Sequence, residues 1–335
     1  MELLKQLFSI YSPSGSEKKM KKFIKRYIRE NIEGVEASHD DMGNLYLTKG
    51  KSDTYPCVVA HLDQVQDIHS KDFAVVEGDD VMFGFSRKNK RQEGLGADDK
   101  CGIWIAMKCL EHFDEIKVAF FVQEEVGCVG SSSCNMDFFK DVRFVIEPDR
   151  RGGSDLITSI SSTEIAGDDF INDTHYEEFG YHQNNGMLTD VLELATMGIG
   201  VSCVNISCGY YEPHTDHEFI VVSELRNALD FTMHIISNCK NVYRHECACR
   251  YSYGSWYNAP MYSKYFGGDD DKEEEIVVPK HGDSFDELGY IALLRKYNPF
   301  ADAAQLWAEA RTELEPYMEE WDFYEIIDQI DEYGI

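Results

Sequence analysis

Several short stretches of the sequence place imidazole or carboxylate side chains directly after apolar runs or at the starts of predicted helices. These side chains are common protein ligands of zinc and similar divalent ions. Adjacent carboxylates away from water disfavour each other's ionisation unless a cation or a proton compensates them. The pattern therefore indicates a metal site with nitrogen and oxygen ligands. Its candidate residues are His61, Asp63, Asp98, Asp99, Glu124, Glu125, Asp149 and His214.

Three of the apolar runs have the length and composition of strands buried on both faces. A single His-x-Asp or Glu-Glu pair is weak evidence, because solvated loop residues explain most such pairs. His61 and Asp63 lie on the same side of an extended chain, so the Asp63 carboxylate can accept the imidazole N–H that a metal does not use. The runs and their polar followers are residues 56–60 with His61 and Asp63, 118–122 with Glu124 and Glu125, and 142–146 with Asp149.

Asp98 and Asp99 lie in a glycine-rich segment that leads into a helix. One aspartate at such a position is explained as a helix cap. Two are more than a cap requires, and the glycines allow the backbone to approach a bound ion closely. His214 and His217 precede a long apolar helix, where both could be capping or packing groups and one is a candidate for the last ligand.

The elements that must position these residues form an α/β pattern. Ligands of open α/β sheets bind at the carboxyl ends of the strands, which is where four of the candidate groups are expected. Together, His61, Asp98, Glu124, Glu125, Asp149 and His214 offer imidazole and carboxylate ligands with one carboxylate to spare. This set suits two zinc ions that share an aspartate and a water. Residues 79–93 are polar and predict a loop. Strands are predicted over 44–48, 56–60, 118–122, 142–146, 156–160 and 201–206, and helices over 102–113, 186–197 and 219–236.

Five motifs of the sequence resemble the metal motifs of the co-catalytic di-zinc exopeptidases. That group includes tripeptidase T, glutamyl and leucyl aminopeptidases, and carboxypeptidase G. The resemblance covers roughly residues 1–238 and implies a zinc-exopeptidase-like three-layer αβα domain with a mixed, mostly parallel central sheet. The motifs are HLD, GLGADDKCG, QEEVGCVGS, IEPDRRGG and EPHTDHE.

The resemblance also implies a ligand set for two zinc ions, for which cobalt or manganese could substitute. His61 and Asp149 would hold one ion, Glu125 and His214 the other, and Asp98 would bridge them. The resemblance selects the first aspartate of the Asp-Asp pair as the bridge and the first of the two histidines as the ligand.

Glu124 is implied as the general base and Asp63 as the partner that orients His61. The implied function is a metallo-exopeptidase that hydrolyses peptide bonds with a bridging water, with an aminopeptidase as the first expectation. An N-acyl amino acid amidohydrolase or a carboxypeptidase is the alternative among hydrolases. From another class, the alternative is an inactive metal-binding scaffold whose acidic tail recruits a protein partner.

The chain departs from the group in having no room for an inserted lid or dimerisation domain. The two gaps in which relatives carry one are short here, between Asp149 and Asp190 and between His61 and Asp98. Arginines 150 and 151 are candidates for groups that a lid would otherwise supply, with ordinary surface arginines as the alternative.

Two regions are predicted. Residues 1–240 would form the di-zinc catalytic domain. Residues 241–335 contain a Tyr-rich segment, an acidic loop at 269–275 and a helical C-terminal extension, predicted to pack on the catalytic domain.

The composition restricts partners and compartment. A formal net charge of −29 argues against nucleic acid and anionic membranes as partners. No apolar run reaches the length of a transmembrane helix. The ten cysteines show no disulfide spacing and the chain begins without a signal-peptide pattern, so we expect a cytoplasmic protein. It is expected to act on a small peptide or N-acyl amino acid, as a monomer or a small homo-oligomer.

Overall fold

The computed structural model describes residues 1–66, 68–160 and 163–247, together with the backbone of one hairpin, Lys280–His281 with Ser284–Phe285. The chain divides into two compact units, Met1–Trp256 and Tyr257–Ile335. The acidic loop and the helical extension predicted for the C-terminal region lie outside the described residues. The boundary predicted after residue 240 stays a prediction.

The helices predicted over 102–113, 186–197 and 219–236 are present with shifted bounds, and two short helices over 129–132 and 168–173 were not predicted from the sequence. None of the helices in the described part combines the length and the apolar character needed to cross a membrane. They are α1 (Glu2–Phe8), α2 (Lys18–Asn31), α3 (Ala97–His112), α4 (Val129–Ser132), α5 (Asp168–Asp173), α6 (Asp190–Thr196) and α7 (Val222–Asn238).

The strands form two sheets in the first unit. The central sheet contains β1 (Val35–His39), β2 (Leu45–Lys49), β3 (Tyr55–His61), β7 (Ile116–Phe121), β8 (Val142–Arg150), β9 (Asp155–Ile160), β10 (Thr163–Glu164), β11 (His182–Gly186) and β12 (Cys203–Ser207). The smaller sheet contains β4 (Phe73–Gly78), β5 (Val81–Ser86), β6 (Arg91–Glu93), β13 (Tyr210–Tyr211) and β14 (Phe219–Val221).

The central sheet has the strand order β1-β2-β7-β3-β8-β12-β9-β10, with β11 beside β9. Its middle strands β7, β3, β8 and β12 are parallel neighbours. Antiparallel strands flank them, with β2 beside β7 and β9 beside β12. The predicted α/β fold with a mixed sheet and a parallel centre is confirmed.

The parallel centre is apolar on both faces, and every residue of β3 and β7 is buried. On β3, Val58 and Ala60 belong to the core beneath α1, α2, α3 and α7. The alternate residues Cys57 and Val59 belong to the opposite core, which includes α6. Burying one such side chain stabilises the fold by about 1.5–3 kcal/mol. The result is three layers, with the carboxyl ends of the parallel strands at one edge.

The smaller sheet was not predicted, and the interpretation of residues 79–93 as a loop is wrong. β5 pairs with β4 and β6, and also with β14 from a distant part of the sequence. Because β14 is distant in the sequence, no local pattern predicts its pairing with β5. Residues 219–221, predicted as the start of a helix, form β14 instead. The helix predicted over 186–197 begins only at Asp190, and Gly186 is instead the last residue of β11, which pairs with β9.

Candidate metal centre

Five of the predicted side chains meet at the carboxyl edge of the parallel strands. They form two sets of possible ligand atoms, and within each set the atoms lie within 4.8 Å of one another. We call His61, Asp98 and Asp149 the first half-site, and Asp98, Glu125 and His214 the second half-site.

The first half-site lies below the surface. The Nε2 atom of His61 is 3.0 Å from Oδ1 of Asp98 and 3.8 Å from Oδ1 of Asp149. The His61 side chain is 0% exposed and that of Asp149 is 8% exposed. A cation placed here would therefore be largely shielded from water.

The second half-site is more open. The Nε2 atom of His214 is 3.3 Å from Oδ2 of Asp98 and 3.0 Å from Oε2 of Glu125. The His214 side chain is 50% exposed. The two carboxylate oxygens of Asp98 thus face different half-sites, which is the arrangement needed for a bridging ligand.

The first turn of α3 directs Asp98 out of the helix. Asp98 and Asp99 have non-helical backbone angles. The Asp99 carboxylate accepts hydrogen bonds from the backbone N–H of Gly102 at 2.9 Å and of His61 at 3.2 Å. A Cβ atom on Gly102 would lie 2.4 Å from Oδ1 of Asp99, so only glycine fits there. Asp99 therefore has a structural role, and Asp98 is the aspartate that faces both half-sites.

Asp63 contacts the other side of the His61 ring. The Nδ1 atom of His61 is 3.1 Å from the backbone oxygen of Asp63 and 3.4 Å from its Oδ1. The Asp63 carboxylate also accepts hydrogen bonds from the backbone N–H groups of Glu124 at 3.0 Å and Glu125 at 3.2 Å. Burial would raise the pKa of Asp63, but its hydrogen bonds with His61 and Ser14 lower it. Asp63 thus fixes Nε2 as the ring nitrogen that faces the candidate metal site.

Glu124 belongs to neither half-site and lies next to the first one. Its Oε2 atom is 3.9 Å from Nε2 of His61, and its Oε1 atom accepts a hydrogen bond from the Cys128 thiol at 3.4 Å. Burial raises the pKa of Glu124 to about 8; attraction to His61 opposes the rise, and repulsion from Glu125 adds to it. A buried carboxyl group that lies beside the ligands without being one of them is placed for proton transfer.

The centre contains more buried negative charge than its own residues compensate. Burial and repulsion from Asp98 raise the pKa of Asp149 well above its ordinary value. Burial alone would lower the pKa of His61, yet the carboxylates of Asp149, Asp63 and Asp98 raise it. Divalent cations would relieve this repulsion.

The residues also fit a metal by their hydrogen bonding. The Oε1 atom of Glu125 is buried without a hydrogen-bond partner in the described part of the chain. Buried carboxylate oxygens are normally satisfied, and a metal ion would satisfy this one. Imidazole and carboxylate together are a donor set that zinc accepts.

Asn205 and Tyr210 hold Asp149 in place, and the sequence did not identify them. The Asn205 amide donates to the backbone oxygen of Asp149 at 2.9 Å and accepts from its backbone N–H at 3.2 Å. The Tyr210 hydroxyl donates to Oδ1 of Asp149 at 3.1 Å. The available signal was the polar residue Asn205 between the apolar residues Val204 and Ile206 of a predicted strand, because a buried amide needs partners.

Glu218 fixes the backbone of Asp98, the ligand that the two half-sites share. Its Oε1 atom accepts hydrogen bonds from the backbone N–H groups of Ala97 at 3.0 Å and Asp98 at 3.2 Å. Burial raises the pKa of Glu218 to about 7, opposed by the hydrogen bond from Ala97. Buried Lys100 interacts electrostatically with this carboxylate and donates to Gln64 at 2.5 Å. Glu218 is thus a buried anchor for the segment that carries Asp98.

Three other candidates from the sequence lie outside both half-sites. His217 is exposed. Arg150 forms an ion pair with Asp155 at 3.3 Å, and Arg151 is exposed. Neither arginine belongs to the two ligand sets, so the idea that they replace lid residues stays a prediction.

Comparison with other proteins gives a likeness of fold. No protein-family model matches the sequence, and no curated protein matches it. Aminopeptidase PepT from Bacillus cereus ATCC 10987 matches with a TM-score of 0.57 and 16% identity, over 70% of this chain and 96% of that chain. A tripeptidase from Staphylococcus aureus subsp. aureus Mu50 matches with a TM-score of 0.55 and 14% identity, over 70% and 96%. A TET aminopeptidase from a Thaumarchaeota archaeon matches with a TM-score of 0.54 and 17% identity, over 72% and 96%. The chain therefore shares the fold of these peptidases, the kind of protein to which its motifs point.

Proposed function

We propose that this protein is a metallo-exopeptidase, with an aminopeptidase as the first expectation. The observation that carries the proposal is that two ligand sets share Asp98, while Glu124 lies beside them and belongs to neither. A carboxylate kept free next to a metal site is needed for proton transfer, whereas metal binding alone does not require it. The fold shared with aminopeptidases and a tripeptidase supports the same conclusion.

His61 and Asp149 would hold one ion, Glu125 and His214 the second, and Asp98 both. Zinc is the metal that this donor set favours, with cobalt or manganese as substitutes. When bound, the two ions supply Lewis acidity, which polarises a carbonyl group and makes water more acidic.

The side chains of the protein would carry the proton. Glu124 would take a proton from the water that attacks the carbonyl carbon, and would give it to the amine nitrogen as the C–N bond breaks. The Cys128 thiol holds one oxygen of Glu124, so that the other is directed toward His61. Asp63 fixes the backbone of the same loop through the N–H groups of Glu124 and Glu125.

A substrate comparison tests the proposal. Leucine and alanine anilides and N-acetyl leucine are incubated with the full chain, with and without a chelator. We expect cleavage of the anilides, loss of activity with chelator, and recovery on adding zinc. Cleavage of N-acetyl leucine alone would identify an amidohydrolase or carboxypeptidase instead.

The variant Glu124→Gln separates an enzyme from a scaffold. It should keep its zinc content and lose about 10²–10⁴-fold in turnover, the range expected for a general base. If the protein binds zinc but neither form cleaves any of these substrates, the inactive scaffold is the better interpretation.

We extend the proposal to compartment and assembly. Eight cysteines of the described residues, among them Cys57, Cys128 and Cys203, are free thiols, which supports a reducing compartment such as the cytoplasm. For assembly we propose a monomer or a small homo-oligomer. The TET1 peptidase of Pyrococcus horikoshii, of similar fold, can assemble into a tetrahedron or a large octahedral shell. Light scattering on the purified chain would distinguish these sizes.

A further inference from the structure

Exposed apolar side chains are concentrated near the candidate metal centre. Among the described residues, five large apolar side chains are exposed: Val65, Val76, Val126, Met187 and Leu188. Val126, Met187 and Leu188 are 53%, 77% and 39% exposed. They occupy two loops that follow β7 and β11 and lead into α4 and α6. We call these three residues the apolar rim.

The first loop presents Val126 directly beside the centre. Val126 follows Glu125 of the second half-site. The turn is closed by hydrogen bonds from the backbone N–H groups of Gly127 at 2.9 Å and Cys128 at 2.8 Å to the backbone oxygen of Glu124. Val126 is therefore held at the tip of a fixed turn, where its side chain stays in water.

The second loop is tied to the first half-site. Thr189, which follows Leu188, donates its hydroxyl to Glu147 at 2.5 Å. The Asn205 amide contacts both the Thr189 hydroxyl at 3.0 Å and the backbone oxygen of Asp149 at 2.9 Å. Met187 and Leu188 thus precede a residue that is only one side chain away from a candidate ligand.

The two loops are linked through α4 and α6, the helices into which they lead. The Ser131 hydroxyl on α4 donates to Oδ1 of Asp190, the first residue of α6, at 2.5 Å. Asp190 also interacts electrostatically with Glu124. The apolar rim therefore lies on the side of the centre where Glu124 is found.

We propose that the apolar rim contacts an apolar side chain of the peptide substrate next to the scissile bond. This inference rests on the proposed function and deepens it: the preferred substrates carry leucine, methionine or phenylalanine at that position. Met187 is unbranched and flexible, so it can adapt to several apolar shapes.

The size of the rim favours a single side chain over a second copy of the protein. Stable protein interfaces bury about 1,200–2,000 Å² in total, far more than three side chains provide. Three such neighbours can cover part of one apolar side chain of a ligand. Full burial of a leucine side chain is worth about 1.5–3 kcal/mol, so partial burial is still large enough to set a preference.

The experiment measures kcat/KM for the dipeptides Leu-Ala, Ala-Leu and Ala-Ala with zinc-loaded full chain. The test variant is the double substitution Val126→Ser and Met187→Ser. The matched control is Val76→Ser, since Val76 is a 36% exposed valine on β4, outside the rim. Using both Leu-Ala and Ala-Leu covers either side of the scissile bond.

We expect the wild type to prefer one leucine dipeptide over Ala-Ala. In the double variant that preference should fall by about tenfold, the range for lost apolar contacts. The preference is a ratio, so it does not depend on the fraction of active protein. Val76→Ser should leave the ratio unchanged.

Two results would overturn the inference alone: an unchanged preference in the double variant, or an equal loss in Val76→Ser. If the preference is unchanged and the oligomer mass of the double variant differs from that of the wild type, the first of these results also identifies a second copy as the occupant. If the zinc-loaded wild type cleaves none of the three dipeptides and no anilide, the proposed function fails, and the inference with it.

Discussion

The two half-sites share a ligand and the same chemistry, but the protein builds them differently. The His61 side chain is 0% exposed at the end of a central strand, and that of His214 is 50% exposed between β13 and β14. His214 also has a backbone φ of 62°, which non-glycine residues seldom adopt. Asn205 and Tyr210 hold Asp149 from two directions. We therefore expect the first half-site to be the better organised and to hold its ion more tightly.

The largest effect is expected from the residue that the half-sites share. Asp98→Ala removes one ligand from each set, so zinc content should fall from about two ions per chain to less than one. Activity should fall more than the 10–100-fold typical of residues that only orient ligands. Zinc analysis after dialysis and an anilide assay check this. Asp216→Ala is the control, because Asp216 lies in neither ligand set. Two ions retained in Asp98→Ala would contradict the shared-ligand geometry.

The difference between the half-sites is tested by removing one histidine at a time. His214→Ala should keep about one ion per chain after dialysis, because the buried set remains intact. His61→Ala should keep fewer, because its loss opens the better organised set. Both variants are dialysed together against the same weak chelator, and their zinc content is measured. The reverse order of retention would show that burial does not decide which ion is held.

A smaller effect is expected from a residue that supports only the first half-site. Tyr210→Phe removes the hydroxyl that donates to Asp149, and zinc affinity or activity should fall about 10–100-fold. Tyr211→Phe is the matched control, because its hydroxyl donates to Glu224 instead. Zinc titration should show the change in the tighter of the two binding steps. A change confined to the weaker step would contradict the prediction that Tyr210 supports the first half-site.

The smallest effect is expected from the protonation of His69, which belongs to neither half-site. It serves as a comparison for pH effects that arise at the metal centre. His69 stacks on Phe73 at 4.3 Å and on Tyr11 at 5.5 Å between ring centroids. Burial lowers its pKa from 6.5 to about 4, and the charge of Lys100 adds to the effect. The unfolded chain therefore takes up this proton first, and folded stability falls as the pH decreases from 6.5 toward 4.

The variant His69→Phe keeps an aromatic ring and removes the titration. Its melting temperature should fall less than that of the wild type between pH 7 and pH 5 in metal-free buffer. If the melting temperatures of the two proteins change equally with pH, His69 does not contribute. The loss of stability at low pH would then be assigned to the metal centre.

The sequence predicted what depends on local pattern. The apolar runs at residues 56–60, 118–122 and 142–146 correspond to β3, β7 and β8, since a strand buried on both faces needs an unbroken apolar stretch. The polar residues after these runs meet because parallel strands end at the same edge of the sheet. His61, Glu125 and Asp149 lie together for this reason, whereas Asp98 at the start of α3 and His214 between β13 and β14 are brought to the same edge by the rest of the fold. The binding of metal by all five stays a prediction.

What the sequence did not show depends on distant partners. β5 pairs with β14, and no local sequence pattern predicts that pairing. Glu218 reads as one more acidic residue in an acidic chain until its hydrogen bonds to the backbone of Asp98 are visible. Likewise, the need for glycine at position 102 arises from the carboxylate of Asp99 and not from a turn. Such contacts belong to the fold and are invisible in a single sequence.

The hydrogen bonds of Asp63 have a consequence for how the protein loads its ions. Its carboxylate contacts the ring of His61 in the first half-site and accepts hydrogen bonds from the backbone N–H groups of Glu124 and Glu125, the latter a residue of the second half-site. An ion that fixes His61 also restrains Asp63, and Asp63 in turn restrains the loop that carries Glu125. The first ion to arrive thus lowers the entropy cost for the second, which offsets part of the repulsion between two cations that share Asp98.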